Sequence, residues 1–160
     1  MEGAPSQTPT RPEARGGTTL TFTGAQNVHL LVGGADRLPQ EFNDLWLLKV
    51  LHQTEGTENT KPALGWKKIA KDDNFKPRTG HSAVTYKQRV YLYGGQSFKS
   101  NTHTSELWIY CGHSGKFWLQ PTTNTPLPRN SHSACVDEEK GLMYMFGGAN
   151  DQGLLSDLHV

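Results

Sequence analysis

Three arginines each stand ahead of a short run of small or polar residues. The runs are Arg15-Gly16-Gly17-Thr18-Thr19, Arg78-Thr79-Gly80-His81-Ser82 and Arg129-Asn130-Ser131-His132-Ser133. A guanidinium carries its N–H donors in a planar fork. At such a position it can clamp a partner's carboxylate through paired hydrogen bonds, or brace its own chain by bonding carbonyl oxygens. Two of the 7 histidines, His81 and His132, occupy matching places in these runs. Their separation repeats that of the arginines, so it is a repeat period and not a ligand spacing. His29, His52, His103, His113 and His159 show no zinc-type spacing with Cys or Asp, and no metal site is expected. Cys111 and Cys135 are the only cysteines and fall in different strand-like stretches; they can pair or stay free. The chain has no Gly-x-Ser-x-Gly elbow, phosphate-binding loop or zinc-binding helix motif, so no catalytic residue and no cofactor is expected.

Composition narrows the partners. Among 160 residues, Lys plus Arg number 16 and Asp plus Glu 15, a formal charge of +1. Neither a nucleic-acid groove nor an anionic membrane surface fits so even a balance, because both need clustered positive charge. No apolar run approaches the ~20 residues of a spanning helix. Residues 1–14 are polar and Pro-rich, lack the apolar core of a signal peptide, and are expected to be disordered. There is no Asn-x-Ser/Thr acceptor site, and two cysteines make no disulfide framework. Both features point to the cytoplasm or nucleus.

The elements that hold the arginines repeat as well. Glycine pairs stand at Gly33-Gly34, Gly94-Gly95 and Gly147-Gly148, each closing an apolar run: Val28 to Val32, Val90 to Tyr93 and Leu142 to Phe146. About ten residues later comes an acid followed by leucine, in Asp44-Leu45-Trp46, Glu106-Leu107-Trp108 and Asp157-Leu158-His159. A second tryptophan, Trp66 or Trp118, follows in the first two units. Internal repetition of this kind takes precedence over any element-by-element reading. The first unit is longer because its segment between the two tryptophans, chiefly His52 to Gly65, is an enlarged polar loop of the kind that surfaces tolerate.

Each unit reads as four strands. The first follows the arginine, the second ends at the glycine pair, the third carries the acid-Leu-Trp step, and the fourth holds the second tryptophan. The second strands are apolar on both sides, as in sheets covered on both faces. The tryptophans are expected to fill the space between neighbouring sheets. With 17 glycines, 9 prolines and no helical periodicity, the chain should be all-β.

Pro77-Arg78-Thr79-Gly80-His81-Ser82-Ala83-Val84, with Tyr91-Leu92-Tyr93-Gly94-Gly95, Glu106-Leu107-Trp108-Ile109-Tyr110 and Trp118, resembles a complete kelch repeat. Pro128 to Val160 is similar to a second copy that stops within its third strand. Arg15 to Trp66 is similar to a more diverged copy, with Thr18 in the histidine place. The resemblance implies a kelch-type β-propeller made of four-stranded antiparallel blades. The expected blades are 15–76 and 77–126, with a partial blade at 127–160, which together leave an incomplete ring, since propellers close with roughly four to eight blades. Apolar blade faces and strand edges should therefore be open, and weak stability in isolation is expected.

The resemblance further implies a protein-binding scaffold that contacts partners through two sets of loops on one ring face. The matching positions are Arg15, Arg78, Arg129, Asn130 and Ser131 in one set. The other holds Asp36, Arg37, Gln96, Ser97, Lys99, Asn101, Asn150 and Asp151. Converging arginines there would suit an acidic peptide motif; the competing expectation is that they brace the turn between strands. Kelch-like propellers also include copper oxidases with a cysteine–tyrosine crosslink and iron-dependent specifier proteins with a Glu-x-x-x-Asp-x-x-x-His pattern. No glutamate of this chain has an aspartate four residues on, and Cys111 beside Tyr110 is sequence adjacency alone. Substrate recognition for ubiquitin ligation and cytoskeletal scaffolding remain alternatives within the scaffold class.

Overall fold

The computed structural model describes residues 10–38, 40–51 and 63–160. All regular structure among them is β. The first sheet holds β1 (Thr19–Phe22), β2 (Val28–Val32), β3 (Leu45–Leu51) and β4 (Ala63–Ile69), antiparallel and paired in chain order. The second holds β5 (Ser82–Tyr86) and β6 (Arg89–Tyr93). A two-residue hairpin of β7 (Gln96–Ser97) and β8 (Thr102–His103) follows, then β9 (Leu107–Cys111) and β10 (Phe117–Gln120). β6 pairs with β5 on one side and β9 on the other, so the sheet order matches the first blade. The third has β11 (Ser133–Asp137), β12 (Leu142–Phe146), a second small hairpin of β13 (Ala149–Asn150) and β14 (Gly153–Leu154), and β15 (Leu158–His159). The small hairpins were not expected from sequence; they give the post-glycine loops structure of their own. Most of the enlarged loop, and all of residues 1–9, lie outside the described residues.

The apolar second strands explain the core. Leu30, Val32 and Leu45 of the first blade pack with Val90, Leu92, Trp108 and Tyr110 of the second, around Phe75 from the connecting segment. Phe75 meets Trp108 and Phe117 edge-on at ring distances of 5.1 and 5.0 Å, and Trp108 stacks on Phe117 at 5.0 Å. Close-packed aromatics of this kind supply much of a small core's stability. Trp46 and Trp108 are buried as expected, but Trp66 and Trp118 are only half-buried. They sit on β4 and β10, the edge strands farthest from β1 and β5 in their sheets.

The blades meet chiefly through their first strands, β1 against β5 and β5 against β11. Three wedges do not close a ring. Leu20 and Phe22 of the first blade are exposed, as are Phe146, Leu154 and Leu158 of the third. Those are the open apolar faces the incomplete repeat count implied.

Candidate functional site

The segment that enters each first strand carries the recurring arginine. The residue after the arginine bridges to the residue after the glycine pair: Gly16 to Ala35, Thr79 to Gln96, Asn130 to Ala149. This geometry turns each arginine side chain inward, along its own blade. Arg129 donates from Nε to the Leu127 carbonyl at 3.0 Å and from one terminal nitrogen to the Gly147 carbonyl at 3.0 Å. Both terminal nitrogens also bond the Asp157 carboxylate at 2.7 Å. Arg78 donates to the Lys76 and Gly94 carbonyls, each at 3.3 Å, and to Glu106 at 2.6 Å. Arg15 bonds the Glu13 and Gly33 carbonyls at 3.1 Å and holds both oxygens of Asp44. All three side chains are buried.

The same acid also accepts from the side chain two residues on. Trp46 Nε1 donates to Asp44 at 2.7 Å and Trp108 Nε1 to Glu106 at 2.9 Å, while His159 Nε2 lies 2.7 Å from Asp157. Burial opposes ionisation of Asp44 and Glu106, yet the hydrogen bonds from arginine and tryptophan outweigh it and hold both carboxyls below their ordinary range. Asp157 is held low in the same way, first by Arg129 and then by His159. The arrangement is a guanidinium–carboxylate brace built into each blade. It assigns Arg15, Arg78 and Arg129 the bracing role, and with their forks turned inward a clamp on a partner's carboxylate loses its geometric support. The acids were missed as arginine partners in the sequence, although the signal was there: each pair is separated by 28 or 29 positions.

His81 and His132 perform the second repeated task. His81 Nε2 lies 2.9 Å from Thr19 Oγ1, and His132 Nε2 lies 2.8 Å from Ser82 Oγ, so each ring ties its blade to the one before. Both Nδ1 atoms are buried without a hydrogen-bond partner among the described residues. That fits the tautomer carrying its proton on Nε2, which leaves only an acceptor unpaired. Burial, reinforced by the neighbouring Arg78 and then His132, pushes the His81 pKa down to about 3. Burial and Arg129 push that of His132 down to about 4. These rings are neutral structural ties.

The post-glycine loops lie together and are linked from blade to blade. Glu41 of the first loop accepts from Ser97 Oγ at 2.8 Å and from the Phe98 backbone N–H. Asn130 Nδ2 donates to Gln96 Oε1 at 2.5 Å, and His103 Nδ1 lies 2.9 Å from Asp151. Within single loops, Asp36 accepts from the Leu38 and Gln40 N–H groups, and Asn150 from that of Gln152. Arg37 and Asn101 are exposed, with Asn101 in the left-handed region at φ 49°. The structure thus brings Gln96, Ser97 and Asn130 into one cluster and leaves Asp36 and Arg37 beside a separate groove next to Arg15.

Between the first two loops lies a groove of about 630 Å³, lined by Glu41, Lys76, Gln96, Ser97, Lys99 and His103 among others. Its acids are engaged: Glu41 by the second loop, and Glu106 by Arg78 and Trp108. Lys76 and Lys99 are exposed and form no ion pair among the described residues. Lys76 was not singled out in the sequence, because nothing there shows that it folds back beside the second loop. Cys111 and Cys135 are free thiols. No helix of the described residues is long and apolar enough to cross a membrane.

Comparison with known proteins agrees with this architecture. Rat Kelch domain-containing protein 3 is 31% identical over 97 residues, which cover 52% of this chain and 24% of that protein. Dynein regulatory complex subunit 7 of Chlamydomonas reinhardtii is 31% identical over 84 residues, 51% of this chain and 7% of its own length. Human Host cell factor 2 is 35% identical over 88 residues, 45% of this chain and 11% of its own length. The chain therefore matches a quarter or less of these relatives. The solved structure of YjhT superposes with a TM-score of 0.66 at 14% identity, covering 90% of this chain and 42% of that one, a likeness of fold alone. The KLHDC2/KLHL20/DRC7 Kelch-repeats domain matches residues 3–160, and with its glycine pairs, braced arginines and four-stranded wedges the chain belongs to that kelch-repeat family.

Proposed function

We propose that this chain is a non-catalytic protein-interaction module whose contact surface is the ring face carrying the post-glycine loops. The groove between the first two loops seats an acidic segment of the partner. The observation that carries this reading is the asymmetry of the groove. Its carboxylates are already hydrogen-bonded, while the ammonium groups of Lys76 and Lys99 are exposed and unpaired among the described residues. Gln96, Ser97 and Asn130 lie on the same side, and their cross-links hold the loops in place before a partner arrives, which lowers the ordering cost of binding. Asp36, Arg37, Asn101 and Asn150 extend the surface on either side. Exposed lysines act mainly through long-range attraction, so association should weaken as salt rises. The names of the relatives, among them a dynein regulatory complex subunit, are compatible with a scaffold role. Two free thiols fit a reducing compartment, the cytoplasm or nucleus.

The test is quantitative affinity capture with the wild-type chain and a Lys76→Glu/Lys99→Glu variant at low and high salt. Loss of acidic-segment proteins from the variant, and their elution by salt, is the expected result. Identical capture by both forms would overturn the groove assignment. Stoichiometric copper or iron in the purified protein would overturn the non-catalytic reading.

A further inference from the structure

The groove between the first two loops lies at the seam that joins their blades, and its polar lining offers more than charge. Gln96 accepts the Asn130 amide through Oε1, which leaves the N–H donors of its own amide without a partner among the described residues. The hydroxyls of Ser100 and Thr102 lie 2.7 Å apart. One donates to the other, so one O–H of the pair is left over. Thr104 Oγ1 accepts the Glu106 N–H at 3.1 Å, and its own proton has no acceptor among the described residues. All four side chains line the groove together with Lys76 and Lys99. Ser97 differs, because its hydroxyl already donates to Glu41.

These donors sit on fixed backbone. The Gln96 N–H and carbonyl pair with Thr79 at 2.9 Å, the Thr104 N–H with the Gly95 carbonyl at 3.1 Å, and the Ser100 N–H with Ser97 Oγ at 3.3 Å. Lys76 follows Phe75, which is fully buried in the core, and its carbonyl accepts from Arg78. The two acids of the lining are turned to donors of their own. Glu41 holds Ser97 and the Phe98 N–H, and Glu106 holds Arg78 and Trp108. The groove therefore presents ammonium, amide and hydroxyl donors at once, with both of its carboxylates already engaged.

We infer that the acidic group this groove takes is a phosphoryl group, carried on a serine or threonine of the partner segment; this rests on the groove being the seat of an acidic segment and gives that acid its chemistry. A carboxylate brings two oxygens and one charge. A phosphoserine brings three terminal oxygens and roughly two charges at pH 7. Those acceptors suit two ammonium groups and the neutral donors together. Two lysines match one phosphoryl group and not the run of phosphates along a nucleic acid, which needs many cations. At about 630 Å³ the groove is also far larger than one free phosphate fills, so peptide on either side of the modified residue occupies the rest.

The experiment measures fluorescence anisotropy of three labelled peptides with the full chain. The peptides differ only at one central residue, which is serine, glutamate or phosphoserine. The phosphoserine form should bind most tightly, ahead of glutamate by about tenfold, the scale of one added charge-assisted hydrogen bond. Ser100→Ala/Thr102→Val changes two exposed residues of the small hairpin and keeps both lysines. It should close most of that gap and leave the glutamate peptide's affinity within about twofold. Lys76→Glu/Lys99→Glu should abolish binding of both acidic peptides. Equal affinity for glutamate and phosphoserine, both sensitive to the lysine change, would overturn the phosphoryl assignment and leave the acidic seat standing. If neither exceeds the serine peptide, the seat and the phosphoryl assignment fall together. An undiminished phosphoserine preference in the hydroxyl variant would also overturn the assignment. So would displacement of the phosphopeptide by inorganic phosphate at its own concentration, or by phosphoinositide-bearing vesicles, which would make a free anion or a lipid headgroup the ligand.

Discussion

Acidification from pH 7.5 to 5.0 should cost this fold about 4 kcal/mol, roughly 2 from each of His81 and His132. Both rings titrate near 6.5 in an unfolded chain, but in the folded chain at about 3 and about 4, chiefly because burial disfavours the imidazolium. Their folded values lie below the unfolded ones, so the unfolded state binds more protons between the two. The stabilisation is complete above about pH 6.5, declines as pH falls, and levels off only below the folded values. At pH 5 an unfolded ring is nearly fully protonated and a folded one nearly neutral. The cost per ring is then set by the gap between 6.5 and 5, about 1.5 pH units at ~1.4 kcal/mol each, and hardly by how far below 5 the folded value lies. Asp44, Glu106 and Asp157, also held low, lose their contribution mainly at lower pH, where unfolded carboxylates near 4 take up protons. Urea unfolding followed by tryptophan fluorescence at the two pH values measures the difference. A His81→Gln/His132→Gln variant keeps an N–H for Thr19 and Ser82 but cannot titrate, and its stability should be nearly flat over this range. A wild-type loss under about 1 kcal/mol, or an equal loss in the double variant, would refute the assignment of neutral ties.

Two substitutions probe the rest of the frame. Arg78→Ala should destabilise by about 2–3 kcal/mol, less than the ~3–5 of a fully buried broken pair because Glu106 is partly exposed and can rehydrate; Arg78→Lys should recover little, since one ammonium cannot replace the fork. Urea midpoints within 0.5 M of wild type would exclude the brace. Gly94→Ala should cost roughly 2–5 kcal/mol in the same assay. Its φ of 71° is strained for alanine by about 1–2 kcal/mol, and the new Cβ would sit 2.6 Å from the Arg129 carbonyl of the next blade. An unchanged midpoint would mean the seam is not as close as described.

The repeat made the fold legible. Glycine pairs, acid-Leu-Trp steps and arginine entries at matching positions could be aligned without coordinates, and the sheets form where the alignment put them. Phe75 was not legible, because no repeat position marks it and its burial depends on where the β4–β5 connection lands against Trp108. The loop residues lie on post-glycine segments, but which of them meet could not be read from sequence. Gln96 reaches Asn130 and Glu41 reaches Ser97 across seams that join residues 34 and 56 positions apart.

Sequence alone determined that the chain repeats a wedge with an arginine at its entry and a glycine pair at its turn, because those constraints are local to each strand and its neighbour. Only the tertiary structure decided what the arginines and histidines do. A guanidinium or an imidazole serves whichever acceptor lies within about 3 Å. Here the blade's own carboxylate captures the first and the preceding blade's hydroxyl the second, leaving the lysines beside the loops to face outward.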